Sequence, residues 1–299
     1  MLHAATTPAD KRAGLRRRLA SGEILVLPGA FNPLSAMLIE RRGFEAVYLS
    51  GAVLAADLGL PDVGLTTLTE VAQRANQIAR VTNLPMIVDA DTGFGEAMNV
   101  ARAVQVLEDA GVAGLHIEDQ VNPKRCGHLD GKQVVEMSTA LQRIRAAVQA
   151  RRDSNLLIIA RTDARATSSL DGAIDRAKAY VDAGADAIFP EALHDEGEFA
   201  AMRSALDVPL LANATEFGKG PLLNVKQLSA LGVNMVIFPV SLLRLAMGAA
   251  ERGLATLREE GGFASSLDEM QTRVELYDLL DYSAYQVFDE GVFNFHLPN

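Results

Sequence analysis

Cysteine is almost missing from this chain: among 299 residues there is one, Cys126. No internal disulfide can form, and such sparse usage suits a reducing cytosolic compartment. Tryptophan is absent and aromatic residues make up only 5% of the chain, so a base-stacking surface for nucleic acid is not expected. Cations are in deficit, 28 Lys and Arg against 38 Asp and Glu, for a net charge of -10. That balance argues against nucleic acid or an anionic membrane as a general partner, while leaving room for a small anion in a local basic pocket. No apolar run reaches the length of a bilayer span. No Gly-x-Gly-x-x-Gly follows the first predicted strand, which weakens a dinucleotide fold. Residues 1–19 are basic but carry no apolar core with a cleavage site, so neither a secretion nor a targeting signal is expected and the expected location is cytoplasmic.

What is present is apolar and regularly spaced. Nearly half the residues are hydrophobic, enough for a sizeable core. Eight short, nearly continuous apolar runs stand at 24–28, 46–50, 86–90, 114–118, 156–161, 187–191, 209–213 and 235–239. Runs of this kind fit strands buried on both faces of a parallel sheet. Helical spacing separates them, as in Val100, Ala103, Val104 and Leu107 and again in Met137, Leu141, Ile144 and Val148. Residues 8–20 predict a leading helix with Leu15 and Leu19 on one side and Lys11, Arg16, Arg17 and Arg18 around the rest. The strands at even positions each follow a glycine (Gly43, Gly111, Gly184, Gly232), as a left-handed helix cap would require. The third and seventh follow Pro85 and Pro209, and both run on to Phe-Gly, at Phe94-Gly95 and Phe217-Gly218. Eight alternating strands and helices predict an α/β (β/α)8 TIM-type barrel rather than an open doubly wound sheet. No linker divides the chain, so one barrel domain over 1–299 is expected. A helical extension at 241–299 is predicted with helices over 241–260 and 266–290, longer than closure needs and suited to packing on a neighbouring subunit.

In such barrels chemistry gathers at the C-terminal ends of the strands. There stand Tyr48, Ser50 and Gly51, then Asp89 and Asp91, Glu118, Arg161, Glu191, and Asn213 with Thr215. Asp89 and Asp91 are two apart, so on a strand they point to the same side. Paired carboxylates repel unless a cation or proton lies between them, and hard oxygen donors suit Mg²⁺ or Mn²⁺. The alternative is a helix cap and a solvated loop residue. Glu118 is a third acid for the ion, or the ion-pair partner of Arg161 or Lys124. Cys126 lies in Lys124-Arg125-Cys126-Gly127-His128, where cationic neighbours favour a thiolate and so a proton donor or nucleophile. The alternative is a solvated basic loop with an incidental cysteine. Arg161 directly follows a strand and suits carboxylate recognition. Arg244 and Arg273 fall on helical stretches and read as surface residues. His116 reads as a hydrogen-bonded core histidine, and His3, His194 and His296 have no context. Ser50-Gly51 offers backbone N–H groups to an anion or forms a plain turn.

The motifs Tyr48-Leu49-Ser50-Gly51, Asp89-Ala90-Asp91-Thr92-Gly93, His116-Ile117-Glu118-Asp119 and Lys124-Arg125-Cys126-Gly127-His128 resemble the isocitrate lyase and phosphoenolpyruvate mutase superfamily. Further matches are Ala160-Arg161-Thr162-Asp163, Phe189-Pro190-Glu191-Ala192, Asn213-Ala214-Thr215-Glu216 and Gln271-Thr272-Arg273-Val274. The cysteine loop is specific to the lyase branch, and the chain is most similar to the enzymes acting on 2-methylisocitrate in propionate breakdown. The resemblance implies a barrel whose last helices exchange between subunits of a homotetramer, and a Mg²⁺ cofactor. It implies cleavage of a 2-hydroxy tricarboxylate into pyruvate and succinate. Asp89 and Asp91 would hold the metal with Glu118 nearby. Ser50, Gly51, Cys126, Gly127, Arg161, Glu191, Asn213, Thr215, Arg244 and Arg273 would contact substrate, which promotes the last two arginines from the surface. Tyr48 or Glu118 would be the base and Cys126 the acid. The stretch Ala52-Val53-Leu54 departs from the branch pattern. It leaves cleavage of 2,3-dimethylmalate or decarboxylation of oxaloacetate as alternatives; a non-catalytic dicarboxylate-binding barrel is a separate one, against which intact Asp89, Asp91 and Cys126 speak.

Overall fold

The computed structural model describes residues 4–127, 131–218 and 220–293. His3, His128 and His296 lie outside them. Eight parallel strands form: β1 (Leu25–Pro28), β2 (Val47–Leu49), β3 (Met86–Asp89), β4 (Gly114–Glu118), β5 (Leu157–Thr162), β6 (Ala187–Pro190), β7 (Leu211–Asn213) and β8 (Met235–Phe238). Each falls within a residue or so of an apolar run. The strands pair in sequence order from β2 to β6, and β8 lies between β1 and β7. Single parallel bridges, Gly29 to Tyr48 and Ile188 to Leu210, join the two groups, so the eight strands make a ring. The helices are α1 (Pro8–Ala20), α2 (Pro33–Arg41), α3 (Gly51–Asp57), α4 (Leu68–Ala79), α5 (Ala97–Asp109), α6 (Met137–Ala150), α7 (Leu170–Asp182), α8 (Glu196–Ala205), α9 (Val225–Ala230), α10 (Ser241–Glu260), α11 (Arg273–Leu279) and α12 (Tyr282–Phe293).

Alternation along the strands sorts the apolar residues into two layers. One face, with Val47, Val88, Leu115, Ile117 and Ile158, packs on the helices. The other fills the ring with Leu25, Leu27, Ile87, Leu157, Ile159, Phe189 and Ile237. Burying each large side chain contributes about 1.5–3 kcal/mol. Leu15 and Leu19 of α1 join this inner cluster, so α1 plugs the N-terminal end of the barrel. Two cations of α1 are buried, while Arg17 is exposed. Lys11 is buried and its Nζ donates to the carbonyls of Ala79 (2.7 Å) and Thr82 (2.6 Å). Arg12 donates to Val112 O (2.9 Å) and Glu108 O (2.6 Å). These cations sit at the C-terminal ends of α4 and α5, where helix dipoles leave carbonyl charge to satisfy.

The predicted glycine caps are present: Gly43, Gly111, Gly184 and Gly232 have φ of 81°, 91°, 101° and 76°. Phe94 and Phe217 share φ near 60°, so the two Phe-Gly turns after β3 and β7 repeat one another. The C-terminal expectation needs correction. Residues 266–290 do not form one helix: a 3-10 segment Ala264–Glu269 precedes α11, which starts at a Thr272 capping box, and Asp281 at φ 55° breaks it from α12. The helix α10 buries none of its residues and leaves Leu245, Met247 and Leu254 well exposed.

Candidate active site

The C-terminal ends of the strands open into a cavity of about 280 Å3. Tyr48, Ser50, Asp89, Cys126, Gly127, Arg161, Glu191, Asn213, Thr215 and Arg244 all line it. Ten of the residues singled out from sequence thus meet in one place. Strand register explains their contacts. Asp89 stands opposite His116, Glu118 opposite Arg161, and Arg161 opposite Phe189. Accordingly Arg161 Nε is 3.2 Å from Glu118 Oε2, and its guanidinium carbon lies 5.0 Å over the Phe189 ring. The pairing of Glu118 with Arg161, the alternative to a role at the ion, is therefore found. Arg161 is not an open fork, however. It donates to both oxygens of Asp163 (2.9 and 3.2 Å) and its Nη2 is 3.3 Å from Glu191 Oε2. Glu191 also accepts from Asn213 Nδ2 at 3.4 Å.

The two aspartates share a side for a different reason from the one alternation suggests. The strand ends at Asp89, and Asp91 follows in the left-handed region at φ 46°. Asp89 accepts from the backbone N–H groups of Asp91 (3.0 Å) and Gly51 (3.2 Å). Gly51 therefore serves the aspartate and does not itself line the cavity; a Cβ there would stand 3.0 Å from Asp89 Oδ2. Asp91 stands in the wall towards a second cavity, with Lys124 touching both spaces. The ammonium of Lys124 is 2.7 Å from Asp91 Oδ1 and 2.6 Å from Asp62 Oδ1. Its charge is directed at these two carboxylates. Asp62 was missed because nothing in its loop sets it apart from a surface acid.

Burial and charge set the protonation of these groups. Burial opposes the ionised form of Asp89, but His116, Lys124 and Arg161 hold its carboxyl down to about 2. Burial raises Asp91 to about 6, against the pull of Lys124. Burial also pushes Glu118 well above the carboxylate range despite Arg161. The Lys124 ammonium is disfavoured by burial, yet Glu118 and the aspartates raise its pKa well above the ordinary value.

His116 is a core histidine, as expected, with no exposure. It is also wired to the site: its Nε2 is 2.7 Å from Tyr48 Oη and its Nδ1 3.7 Å from Asp89 Oδ1. Burial lowers it to about 4, so the ring is neutral near pH 7. The Tyr48 phenol is raised well above its usual value, first by burial and then by Asp89. The signal for His116 was its place on the inward face, two residues before Glu118. Asp119, adjacent to Glu118 in sequence, faces the helices and accepts from Thr162, Tyr180 and the Asp163 amide at 2.7–2.9 Å.

Arg244, on α10, reaches the rim, where its Nη1 donates to Glu216 O (2.8 Å) and Thr215 Oγ1 (3.3 Å). It is exposed there, in keeping with the surface reading, and it also lines the cavity. Arg273 opens α11, is exposed, and is not among the residues lining the cavity of its own chain. Cys126 is half-buried at the cavity wall. A Cβ on Gly127 would meet Arg161 Nη2 at 2.5 Å and Glu191 Cγ at 2.7 Å, so only glycine lets this part of the loop rest on that pair.

The donor set fits a divalent ion. Glu118 Oε1 is buried with neither a hydrogen bond nor an ion pair among the described residues, while Asp91 Oδ1 and Glu118 Oε2 have only the side-chain charges of Lys124 and Arg161 beside them. Such acceptors are costly unless a cation or proton meets them. Among the described residues no three His, Cys, Asp or Glu side chains converge closely enough to coordinate an ion by themselves. An ion held by Asp89 and Asp91 would complete its shell with water and substrate, the habit of Mg²⁺.

Comparison with known proteins agrees with this geometry. The family model described as phosphoenolpyruvate phosphomutase matches residues 15–258. The probable 2-methylisocitrate lyase 2 of Corynebacterium glutamicum is 57% identical over 295 residues, covering 99% of this chain and 96% of that protein. The structure of oxaloacetate acetylhydrolase bound to 3,3-difluorooxalacetate superposes with a TM-score of 0.91 at 36% identity, over 97% of this chain and 100% of that one. Phosphonopyruvate hydrolase in complex with oxalate and Mg²⁺ superposes with a TM-score of 0.85 at 30% identity, over 94% and 98%. With a family model over most of its length and a relative more than half identical, the chain belongs to the phosphoenolpyruvate phosphomutase family, within the superfamily its motifs resemble.

Proposed function

We propose that this chain is a divalent-metal-dependent carbon–carbon lyase that cleaves 2-methylisocitrate into pyruvate and succinate, as in the methylcitrate route of propionate breakdown. The observation that carries the reading is the placement of Cys126 on the wall of the cavity that Asp89 and Arg161 also line. An acid that can deliver a proton and an anchor for a divalent ion thus share one small space. The name of the C. glutamicum relative and the Mg²⁺ complex of the phosphonopyruvate hydrolase support it.

Asp89 and Asp91 would hold the ion, with Glu118 reaching it directly or through water. Bound there, Mg²⁺ supplies Lewis-acid polarisation of the C2 oxygen. The protein's own groups do the rest. Tyr48 faces the cavity; Glu118 does not line it. We therefore assign the base to Tyr48. Its phenol stays protonated, so it takes the C2 hydroxyl proton while passing its own to the neutral His116 Nε2. Electrons of the O–H bond become the C2 carbonyl of pyruvate, and the C2–C3 bond breaks. Its electron pair goes to C3, stabilised by the adjacent carboxylate. Arg161, Asn213 and Thr215 face that charge. The Cys126 thiol then protonates C3, giving succinate.

The exposed apolar face of α10 and the position of Arg273 outside its own cavity support exchange of the C-terminal helices between subunits of a homotetramer. Light scattering tests the assembly. A panel of 2-methylisocitrate, 2,3-dimethylmalate and oxaloacetate, assayed for keto-acid release and substrate loss with and without chelator, tests the activity. Pyruvate from 2-methylisocitrate alone, lost on chelation, is the expected result. Turnover of another panel member, or none, contradicts it.

A further inference from the structure

The loop that carries Cys126 leaves the barrel at Gln120 and returns at Val134, where the two residues form an antiparallel bridge. Backbone bonds from Val121 N to Gln133 O (2.9 Å) and from Val135 N to Asp119 O (2.8 Å) close this neck. Within the loop, the residue before the cysteine is gripped twice by one side chain. Gln120 Oε1 accepts from Arg125 N and Gln120 Nε2 donates to Arg125 O, both at 2.9 Å.

The residue after the cysteine is gripped by another. Lys132 is buried, with only 8% of its surface exposed, although it belongs to a connection outside every strand and helix. Its Nζ donates to the Gly127 carbonyl and, at 2.9 Å, to Asp163 Oδ1. Asp163 has no exposure, and the same carboxylate holds Arg161 by two bonds. Burying an ammonium is unfavourable unless its protons are all used on good acceptors. Here the acceptors are the main chain beside the reactive sulfur and the partner of the arginine in the cavity.

We propose that Lys132 is a positioning residue for Cys126, tying the cysteine loop to Arg161 through Asp163 so that the sulfur is set by the same carboxylate that sets the guanidinium. The role rests on the reading of Cys126 as the proton donor to C3. A displacement of about 1 Å in a reacting group lowers rates about a hundredfold, so the effect belongs in kcat more than in KM. Gln120 fixes the other flank and does not substitute for it, because its bonds end at Arg125.

The test compares Lys132→Met and Lys132→Arg with the wild type in two measurements. The first is amide hydrogen exchange of residues 121–136 in metal-free, substrate-free protein, which needs no turnover. Lys132→Met is expected to exchange about tenfold faster there, with barrel strands unchanged. The second is keto-acid release, where kcat falls about a hundredfold and KM moves less than about threefold. Lys132→Arg keeps the charge and shifts both in the same direction by smaller factors. It serves alone should the methionine variant not fold. Unchanged exchange in both variants overturns the proposal, as does exchange that rises across the whole barrel, or faster loop exchange with kcat untouched. If Cys126→Ser proves active, the lyase mechanism fails while the exchange result still decides whether Lys132 holds the loop.

Discussion

Tyr48 Oη and His116 Nε2 stand 2.7 Å apart, buried where β2 and β4 point into the barrel, and Tyr48 also faces the cavity. One contact thus joins a group that can touch substrate to a histidine that cannot. Tyr48→Phe removes the only hydroxyl in that path and is nearly isosteric. Its kcat is expected to fall by about 10²–10³, with a stability loss of about 1–3 kcal/mol because the buried His116 Nε2 loses its partner. Steady-state kinetics beside a melting curve check both halves. A variant with full activity assigns the base elsewhere.

His116 also gives the fold a pH signature. Its folded pKa is lowered to about 4 by burial, while an unfolded histidine titrates near about 6.5. Between these values the unfolded chain takes up a proton that the folded chain refuses. Stability therefore falls as pH falls through that window, by an amount on the order of 3 kcal/mol at its limit. Asp91, raised to about 6, works in the opposite direction in metal-free protein, so the informative quantity is a difference. Denaturant titrations of wild type and His116→Gln at several pH values are expected to show a flatter acid limb in the variant.

Gly127→Ala places a methyl 2.5 Å from Arg161 Nη2. The loop must lift or the arginine must move, and either displaces a group on the cavity wall. An activity loss of about 10² is expected with stability changed by less than about 1 kcal/mol, because the strain falls on a loop. Parallel assays of turnover and melting separate this from general unfolding.

Gly29→Ala tests the barrel seam. An added Cβ at this residue, just after β1, would lie 2.0 Å from the Pro239 carbonyl oxygen, a rigid neighbour. Overpacking of this kind costs about 3 kcal/mol or more, and chemical denaturation should show it.

Much of this was legible because the barrel repeats its instructions. Eight apolar runs, four glycine caps and two proline entries place the strands, and polar residues just past them place the cavity. What escaped depended on backbone detail that spacing does not carry. Asp91 reaches its position through a left-handed turn, not through strand alternation. Lys11 and Lys132 are buried cations whose partners are carbonyls and a carboxylate far away in sequence or across a loop. Adjacent acids Glu118 and Asp119 serve opposite faces of β4, one the site and one the helices. Arg273 was placed at the site by resemblance, and its own chain does not bring it there.

The most direct measurement is keto-acid release from 2-methylisocitrate by the wild type and by Cys126→Ser, with Mg²⁺ affinity measured on both by calorimetry. Loss of turnover by about 10³ or more, with metal binding intact, is the outcome this account requires. A serine variant that keeps a tenth of the activity or more would contradict it.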